Sequence, residues 1–289
     1  MMDYVEIYEV GPRDGLQNET STIPLAQKVA LIDLLSTAGF RRIEVASFVS
    51  PKWVPQMADS ADVMRAIKRA PGVIYAALTP NMQGYNAAKL AGADEVAIFG
   101  SASEGFSRAN LNASIAESLE RFAPLAEAAL RDGVRLRGYV SCATDCPYDG
   151  PVAPQDVAKT VAALRDLGCH EVSLGDTIGQ GTPDRIDAML TEVLSELPAQ
   201  RLAGHYHDTN GRALDNIGAS LARGLRVFDA AVGGLGGCPY APGAAGNVAT
   251  ERVADYLAAQ GFHTGLDMAV VHLAAALARS MRSPLRQKD

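Results

Sequence analysis

The sequence predicts an α/β protein, a single TIM (β/α)8 barrel with a short C-terminal helical extension. Three observations carry that prediction. Eight short apolar runs alternate with longer amphipathic segments, recurring about every 30 to 35 residues. No shift of composition splits the 289 residues into two domains. The first run ends in Gly11-Pro12-Arg13-Asp14, without the G-x-G-x-x-G turn that a doubly wound open sheet places there.

The runs cover residues 5–10, 42–48, 73–79, 95–100, 135–141, 171–174, 202–207 and 227–232. They are rich in Val, Ile and Tyr and bounded by Gly, Pro or Asp, as buried strands are. Pro24 and Pro154 mark the starts of two helices and Thr182-Pro183 that of a third, because the first helical turn has no use for the N–H that proline lacks. Residues 266–289 read as a terminal helix and polar tail, so residues 1–289 are expected to form a single barrel domain.

Composition narrows the function classes. The net charge is −7, with acids and bases interspersed, so no basic face for nucleic acid is expected. No apolar run approaches the roughly 20 residues of a membrane span, and the first residues lack a secretory pattern. The expectation is a cytoplasmic protein without membrane contact. Cys142, Cys146, Cys169 and Cys238 are expected as free thiols, because a chain of this size builds its core without disulfides. Cys142-x3-Cys146 lacks the second pair of a zinc ribbon.

In such a barrel, functional residues gather where strands end and loops begin. Arg13 and Asp14 follow the first run, Glu44 and Ser47 lie on the second, Asp176 and Thr177 follow the sixth, and His205-x-His207-Asp208 ends the seventh. Residues two apart on a strand share a face, so both imidazoles point to one side. At a barrel mouth they are half of a metal site; the alternative is a pair of hydrogen-bonded strand-end histidines. Asp14 can add a carboxylate from across the ring. A mixed nitrogen and oxygen donor set suits Mg2+ or Mn2+ better than structural zinc. Arg13 is either a donor fork for a developing oxyanion or half of a structural pair with Glu44. Gly233-Gly-Leu-Gly-Gly-Cys238 reads as a mobile or tightly turning loop, and its cysteine as a proton carrier or an inert buried thiol.

Taken together these stretches resemble the hydroxymethylglutaryl-CoA lyase family, among the metal-dependent barrel lyases related to Claisen-condensing synthases. The resemblance runs from residue 5 to about 266. It is carried by Glu9-Val-Gly-Pro-Arg-Asp-Gly-Leu-Gln-Asn-Glu19, Ile43-Glu-Val-Ala-Ser-Phe-Val-Ser-Pro-Lys-Trp-Val-Pro-Gln-Met57, Ser173-Leu-Gly-Asp-Thr-Ile-Gly179 and Val232-Gly-Gly-Leu-Gly-Gly-Cys-Pro-Tyr-Ala241. It implies metal ligation by Asp14, His205, His207 and Asn247. It implies enolate stabilisation by Arg13, proton transfer by Cys238, and support from Glu44, Asp176 and Glu251. Gln17, Ser47, Arg137, Tyr139 and Thr177 match the family's site lining.

The implied reaction is retro-Claisen cleavage of 3-hydroxy-3-methylglutaryl-CoA to acetoacetate and acetyl-CoA, with His205 or Asp14 as base. The setting would be leucine breakdown or another pathway, and the assembly a homodimer. Four departures from the family pattern, Gly105, Thr144, Asp145 and Asn210, raise the expectation of another acyl group, such as citramalyl or a longer 3-alkyl branch. A condensing synthase is the more distant alternative, disfavoured by the cysteine loop and by a chain that stops soon after the eighth β/α unit. A metal-binding scaffold without catalysis is disfavoured by retention of the whole constellation.

Overall fold

The computed structural model describes residues 3–19, 21–236 and 246–282. Among them, eight parallel strands close into a barrel: β1 (Glu6–Glu9), β2 (Arg42–Ser47), β3 (Ile74–Leu78), β4 (Glu95–Ser101), β5 (Arg135–Ser141), β6 (Glu171–Asp176), β7 (Leu202–Tyr206) and β8 (Val227–Ala230). β1 pairs with both β2 and β8, so the ring has no edge. Each strand lies within, or overlaps, one of the eight apolar runs. The last run is shorter as a strand than expected, because Val232–Gly234 turns into a 3-10 helix.

The helices are α1 (Leu25–Leu35), α2 (Ser60–Ala66), α3 (Met82–Leu90), α4 (Glu104–Leu111), α5 (Ile115–Arg131), α6 (Pro154–Asp166), α7 (Pro183–Val193), α8 (Ala213–Ala222), α9 (Thr250–Ala259) and α10 (Met268–Met281). Pro154 and Pro183 open their helices, and the Thr182 hydroxyl accepts from Arg185 N at 3.4 Å to cap α7. Pro24 instead occupies the cap position in extended backbone, and α1 starts one residue later. A two-stranded hairpin at Asp145–Cys146 and Gly150–Pro151, not anticipated from the sequence, follows β5. α10 supplies the helical extension, and residues 283–289 of the expected tail lie outside the described residues. No helix among the described residues is long and apolar enough to cross a membrane.

Strand alternation sorts the core into two unlike halves. Ile7, Ile43, Val96, Ile98, Leu136, Val140, Val172, Leu174, Leu202 and Phe228 are buried in the main hydrophobic core, with residues of the surrounding helices. The opposite face of the same strands carries Tyr8, Arg42, Glu44, Glu95, Arg137, Tyr139, Glu171, Ser173, His205 and Asp229. Barrel interiors are usually filled by branched aliphatics. This one is filled by ion pairs.

Arg137 is at the centre of that interior. It donates through Nη1 and Nη2 to the two Asp229 oxygens at 3.1 and 2.7 Å, and through Nε to Glu171 Oε1 at 2.8 Å. Its guanidinium lies over the Tyr8 ring at 4.0 Å and the Tyr139 ring at 4.8 Å. Arg42 grips Glu171 from the other side at 2.9 and 3.0 Å and reaches Glu6 at 2.6 Å. Burial pushes the Glu171 carboxyl up, but Arg137 and Arg42 outweigh it and hold the group at about 2. Removing one partner of a buried pair strands the other. Arg137→Met, which leaves Asp229 without its cation, should lower unfolding free energy by about 3–5 kcal/mol; a urea midpoint equal to wild type would show that the pair contributes nothing.

Glu9 closes the seam between the first and last strands. Its Oε1 accepts from Gly11 N at 2.8 Å and Val232 N at 2.9 Å, and its Oε2 from the Thr250 hydroxyl at 2.6 Å. Burial dominates over these bonds and raises the carboxyl from 4.5 to about 7. The folded pKa lies above the unfolded one, so the stabilising contribution is complete below about pH 4.5 and is lost as pH rises through about 7. Thermal unfolding between pH 4.5 and 7 should therefore show a falling component of about 3 kcal/mol. Glu9→Gln should remove that component, and an unchanged slope in the variant would assign it elsewhere.

Candidate active site

The chain leaves β1 in a π-helical turn over Gly11–Gly15, in which Asp14 N and Gly15 N both donate to Val10 O. This turn brings the adjacent Arg13 and Asp14 into contact with each other. It can do so because Gly15 lies against Leu235: a Cβ there would come within 2.6 Å of the leucine side chain. Gly236, with φ +94°, adopts a backbone that other residues avoid and approaches the same turn. The described part of the glycine loop is thus tightly turning and packed on the β1 turn. Cys238 lies outside the described residues.

Arg13 Nε donates to Glu44 Oε2 at 2.7 Å, Nη2 reaches the same oxygen at 2.6 Å, and Nη1 donates to Asp14 Oδ1 at 2.7 Å. The Tyr139 hydroxyl adds a third bond to Glu44 Oε2 at 3.0 Å. Glu44 Oε1, by contrast, is buried without a hydrogen-bond partner among the described residues, as is the Ser47 hydroxyl nearby on β2. Burial raises the Glu44 carboxyl although Arg13 opposes it. The two neighbouring acids hold the Arg13 guanidinium charged despite burial.

Asp14 joins this arginine centre to the histidines. One donor atom each from Asp14, His205 and His207 lies within 4.8 Å of the others. His205 Nε2 stands 4.0 Å from Asp14 Oδ2, too far for a hydrogen bond. Two atoms sharing a cation at about 2.1 Å would span such a gap. Asn247 Nδ2 donates to Asp14 Oδ2 at 2.7 Å, and Gln17 Nε2 faces Asp14 Oδ1 at 3.3 Å. His207 forms an isolated bridge with Asn247, which brings the fourth expected ligand to the same place.

The donor set fits a divalent cation on a further count. Burial, reinforced by His205, drives the His207 imidazole down to about 4, which keeps it neutral. Its buried Nδ1 has no hydrogen-bond partner among the described residues. Burial also works against protonation of His205, but Asp229 and Asp14 prevail and raise it. Asp14 is drawn below its usual range: burial resists, but Arg13 and His205 win. A neutral imidazole, a second one held by a carboxylate and an ionised aspartate are together what a hard cation binds.

Other expected residues stand back from this cluster. Arg137 does not line the mouth; it is fully buried in the ionic layer inside the barrel. Asp176 accepts from the Thr144 hydroxyl, Gln180 N and Gly181 N and organises the turn after β6. Thr177 Oγ1 accepts from Cys142 N at 2.8 Å, tying that turn to the loop after β5. Glu251 accepts from Gly233 N and from Arg279, steadying the glycine loop from behind. One residue of the site escaped notice in the sequence. Asp229 holds His205 through Nδ1 at 3.1 Å, and only the inward parity of β8 would have pointed to it.

The four departures that suggested another acyl group are occupied elsewhere. Gly105 gives room to Asp149, whose carboxylate would be 2.3 Å from a Cβ there. Thr144 bonds Asp176, Asp145 pairs with Arg185 at 2.5 Å, and Asn210 donates to Gly179 O at 2.7 Å. None of these contacts reaches the histidines, so these positions lend no support to a reshaped acyl pocket. Cys142, Cys146 and Cys169 are free thiols, as expected.

Known proteins share both sequence and fold. The family model described as HMGL-like matches residues 4–277. A Pseudomonas aeruginosa protein named 3-hydroxy-3-isohexenylglutaryl-CoA/hydroxy-methylglutaryl-CoA lyase is 58% identical over 264 residues, which are 91% of this chain and 88% of that protein. A Danio rerio protein named cytoplasmic 3-hydroxy-3-methylglutaryl-CoA lyase is 57% identical over 265 residues, 92% of this chain and 79% of its own length. The crystal structure of the HMG-CoA lyase from Brucella melitensis matches with a TM-score of 0.96 at 61% identity, covering 97% of this chain and 99% of that one. With the closed barrel and the histidine–aspartate cluster in the matched region, the chain belongs to the HMGL-like family.

Proposed function

We propose that this chain cleaves 3-hydroxy-3-methylglutaryl-CoA to acetoacetate and acetyl-CoA by retro-Claisen chemistry. The observation that carries the reading is the junction of Arg13 with Asp14. A buried, permanently charged donor fork adjoins a cluster able to hold a metal ion. The names of the relatives at 57–58% identity agree with it. Asp14, His205, His207 and Asn247 would hold the ion, and the nitrogen and oxygen donors favour Mg2+ or Mn2+. A cation bound there supplies Lewis acidity to the substrate hydroxyl and orientation to its neighbouring carboxylate.

The protein groups divide the remaining work. An Asp14 oxygen takes the hydroxyl proton, because His205 has its Nε2 given to the ion and its Nδ1 engaged by Asp229. The bond from the carbinol carbon to the thioester α-carbon then breaks, leaving a ketone on acetoacetate and the electron pair on acetyl-CoA as its enolate. Arg13 is already aligned by Glu44 and Asp14, so its N–H groups meet the enolate oxygen without reorganising. Glu44 is itself fixed by Tyr139. Cys238 supplies the proton that completes acetyl-CoA. The chain acts as a cytoplasmic homodimer in this proposal.

Stripping the protein with a chelator should abolish release of acetoacetate and acetyl-CoA, and Mg2+ or Mn2+ should restore it. An intact thioester in the presence of bound metal would overturn the proposal. Arg13→Met should cost on the order of 10²–10³ in kcat with an unchanged circular dichroism spectrum. In a panel of 3-hydroxy-diacid thioesters, kcat/KM should favour the 3-methylglutaryl substrate over citramalyl-CoA and over longer 3-alkyl chains; preference for either would reassign the acyl group.

A further inference from the structure

Asp229 is spoken for by no part of the chemistry above, yet it touches both the ionic layer and the mouth. The register of the barrel puts it there. Asp229 on β8 is the direct partner of His205 on β7, and paired residues of neighbouring parallel strands point to the same face. Its Oδ2 lies 3.1 Å from His205 Nδ1 and accepts from the Ser173 hydroxyl at 2.8 Å. Arg137 fixes both of its oxygens from below. The carboxylate cannot rotate without breaking three sets of bonds.

We propose that Asp229 is the positioning residue of the metal centre: anchored by Arg137 and Ser173, it engages His205 Nδ1 and so presents His205 Nε2 toward Asp14. The inference rests on reading Asp14, His205 and His207 as a divalent-metal site. An imidazole has one nitrogen to give a metal, and which one it gives is decided by the bond the other makes. Here Nδ1 is taken up by Asp229, and Nε2 is the atom that stands 4.0 Å from Asp14. Among the described residues His207 has no such carboxylate behind it and no hydrogen-bond partner for its own Nδ1. The two imidazoles are therefore held by different means: one by an anchored anion, the other by burial and the Thr177 backbone.

A purely structural role, as counter-ion to Arg137, predicts a different outcome. Arg137 already has Glu171 at 2.8 Å, so a structural Asp229 would stabilise the fold and leave metal affinity alone. The test is Mn2+ affinity, followed by electron paramagnetic resonance, on the full chain. Asp229→Asn should weaken Mn2+ binding 10- to 100-fold, and excess Mn2+ should recover much of kcat. Ser173→Ala keeps the Arg137 pair and loosens only the oxygen that His205 uses; it should weaken Mn2+ by a smaller factor at unchanged melting temperature, and it decides the matter if Asp229→Asn fails to fold. Tyr8→Phe removes only the bond to Glu95, leaving the ring under Arg137 and every Asp229 hydrogen bond in place, and should leave Mn2+ affinity unchanged.

Affinity equal to wild type in Ser173→Ala and in a folded Asp229→Asn overturns the positioning role. So does an equal loss in Tyr8→Phe and Ser173→Ala. Failure of the wild-type protein to bind Mn2+ or Mg2+ at all would instead overturn the metal reading itself, with the inference falling alongside it.

Discussion

The ion pair between Arg137 and Asp229 stands where a barrel ordinarily stacks aliphatic side chains, and the surrounding architecture is built to tolerate it. Two aromatic rings sandwich the guanidinium, a second acid takes its remaining edge, and a second arginine neutralises that acid. A buried pair of this kind gains little net stability, because desolvation cancels most of the attraction. What it secures is a fixed, ionised carboxylate just below the mouth. The hydrophobic stabilisation of the protein has to come from elsewhere, and it does, from the layer between strands and helices.

The mouth then separates two tasks that one aspartate joins. Toward Glu44, Asp14 helps fix an arginine; toward the histidines, it is one corner of a metal-binding cluster. The opposite shifts of His205 and His207 follow from the same division. The imidazole with a second carboxylate behind it is drawn toward protonation, and the one where burial and His205 outweigh Asp14 is driven from it. Proximity of like groups thus does not make them equivalent.

Much of this could be read from the chain. Period, composition and bounding residues located all eight strands, because strand burial leaves an apolar run whatever else the strand does. His205-x-His207 and Arg13-Asp14 were legible because their spacing is local. Asn247 needed the family resemblance, since nothing in its surroundings distinguishes it. Asp229 is a single acid in Val227-Phe-Asp-Ala230, and its partners lie 24, 56 and 92 positions away. Such a residue acquires meaning only when the ring closes. Asp176, Thr177 and Glu251 are expected in the site, but their contacts are with loop backbone, a hydroxyl and Arg279, which spacing does not encode.

The charged interior also bears on how such a barrel can be divided. Many barrels behave as two stackable halves, each with its own aliphatic filling. In this chain Arg42 from the second strand neutralises Glu171 from the sixth, and Tyr8 from the first bonds Glu95 from the fourth. Arg137 from the fifth is matched by Asp229 from the eighth. A cut between the fourth and fifth strands would break the two Arg42–Glu171 bonds and the Tyr139–Glu44 bond, leaving Arg42 only its first-half acids and Glu171 only Arg137. A half-barrel exchanged into this chain would have to restore those polar contacts across the cut, a matching that an aliphatic filling does not ask for.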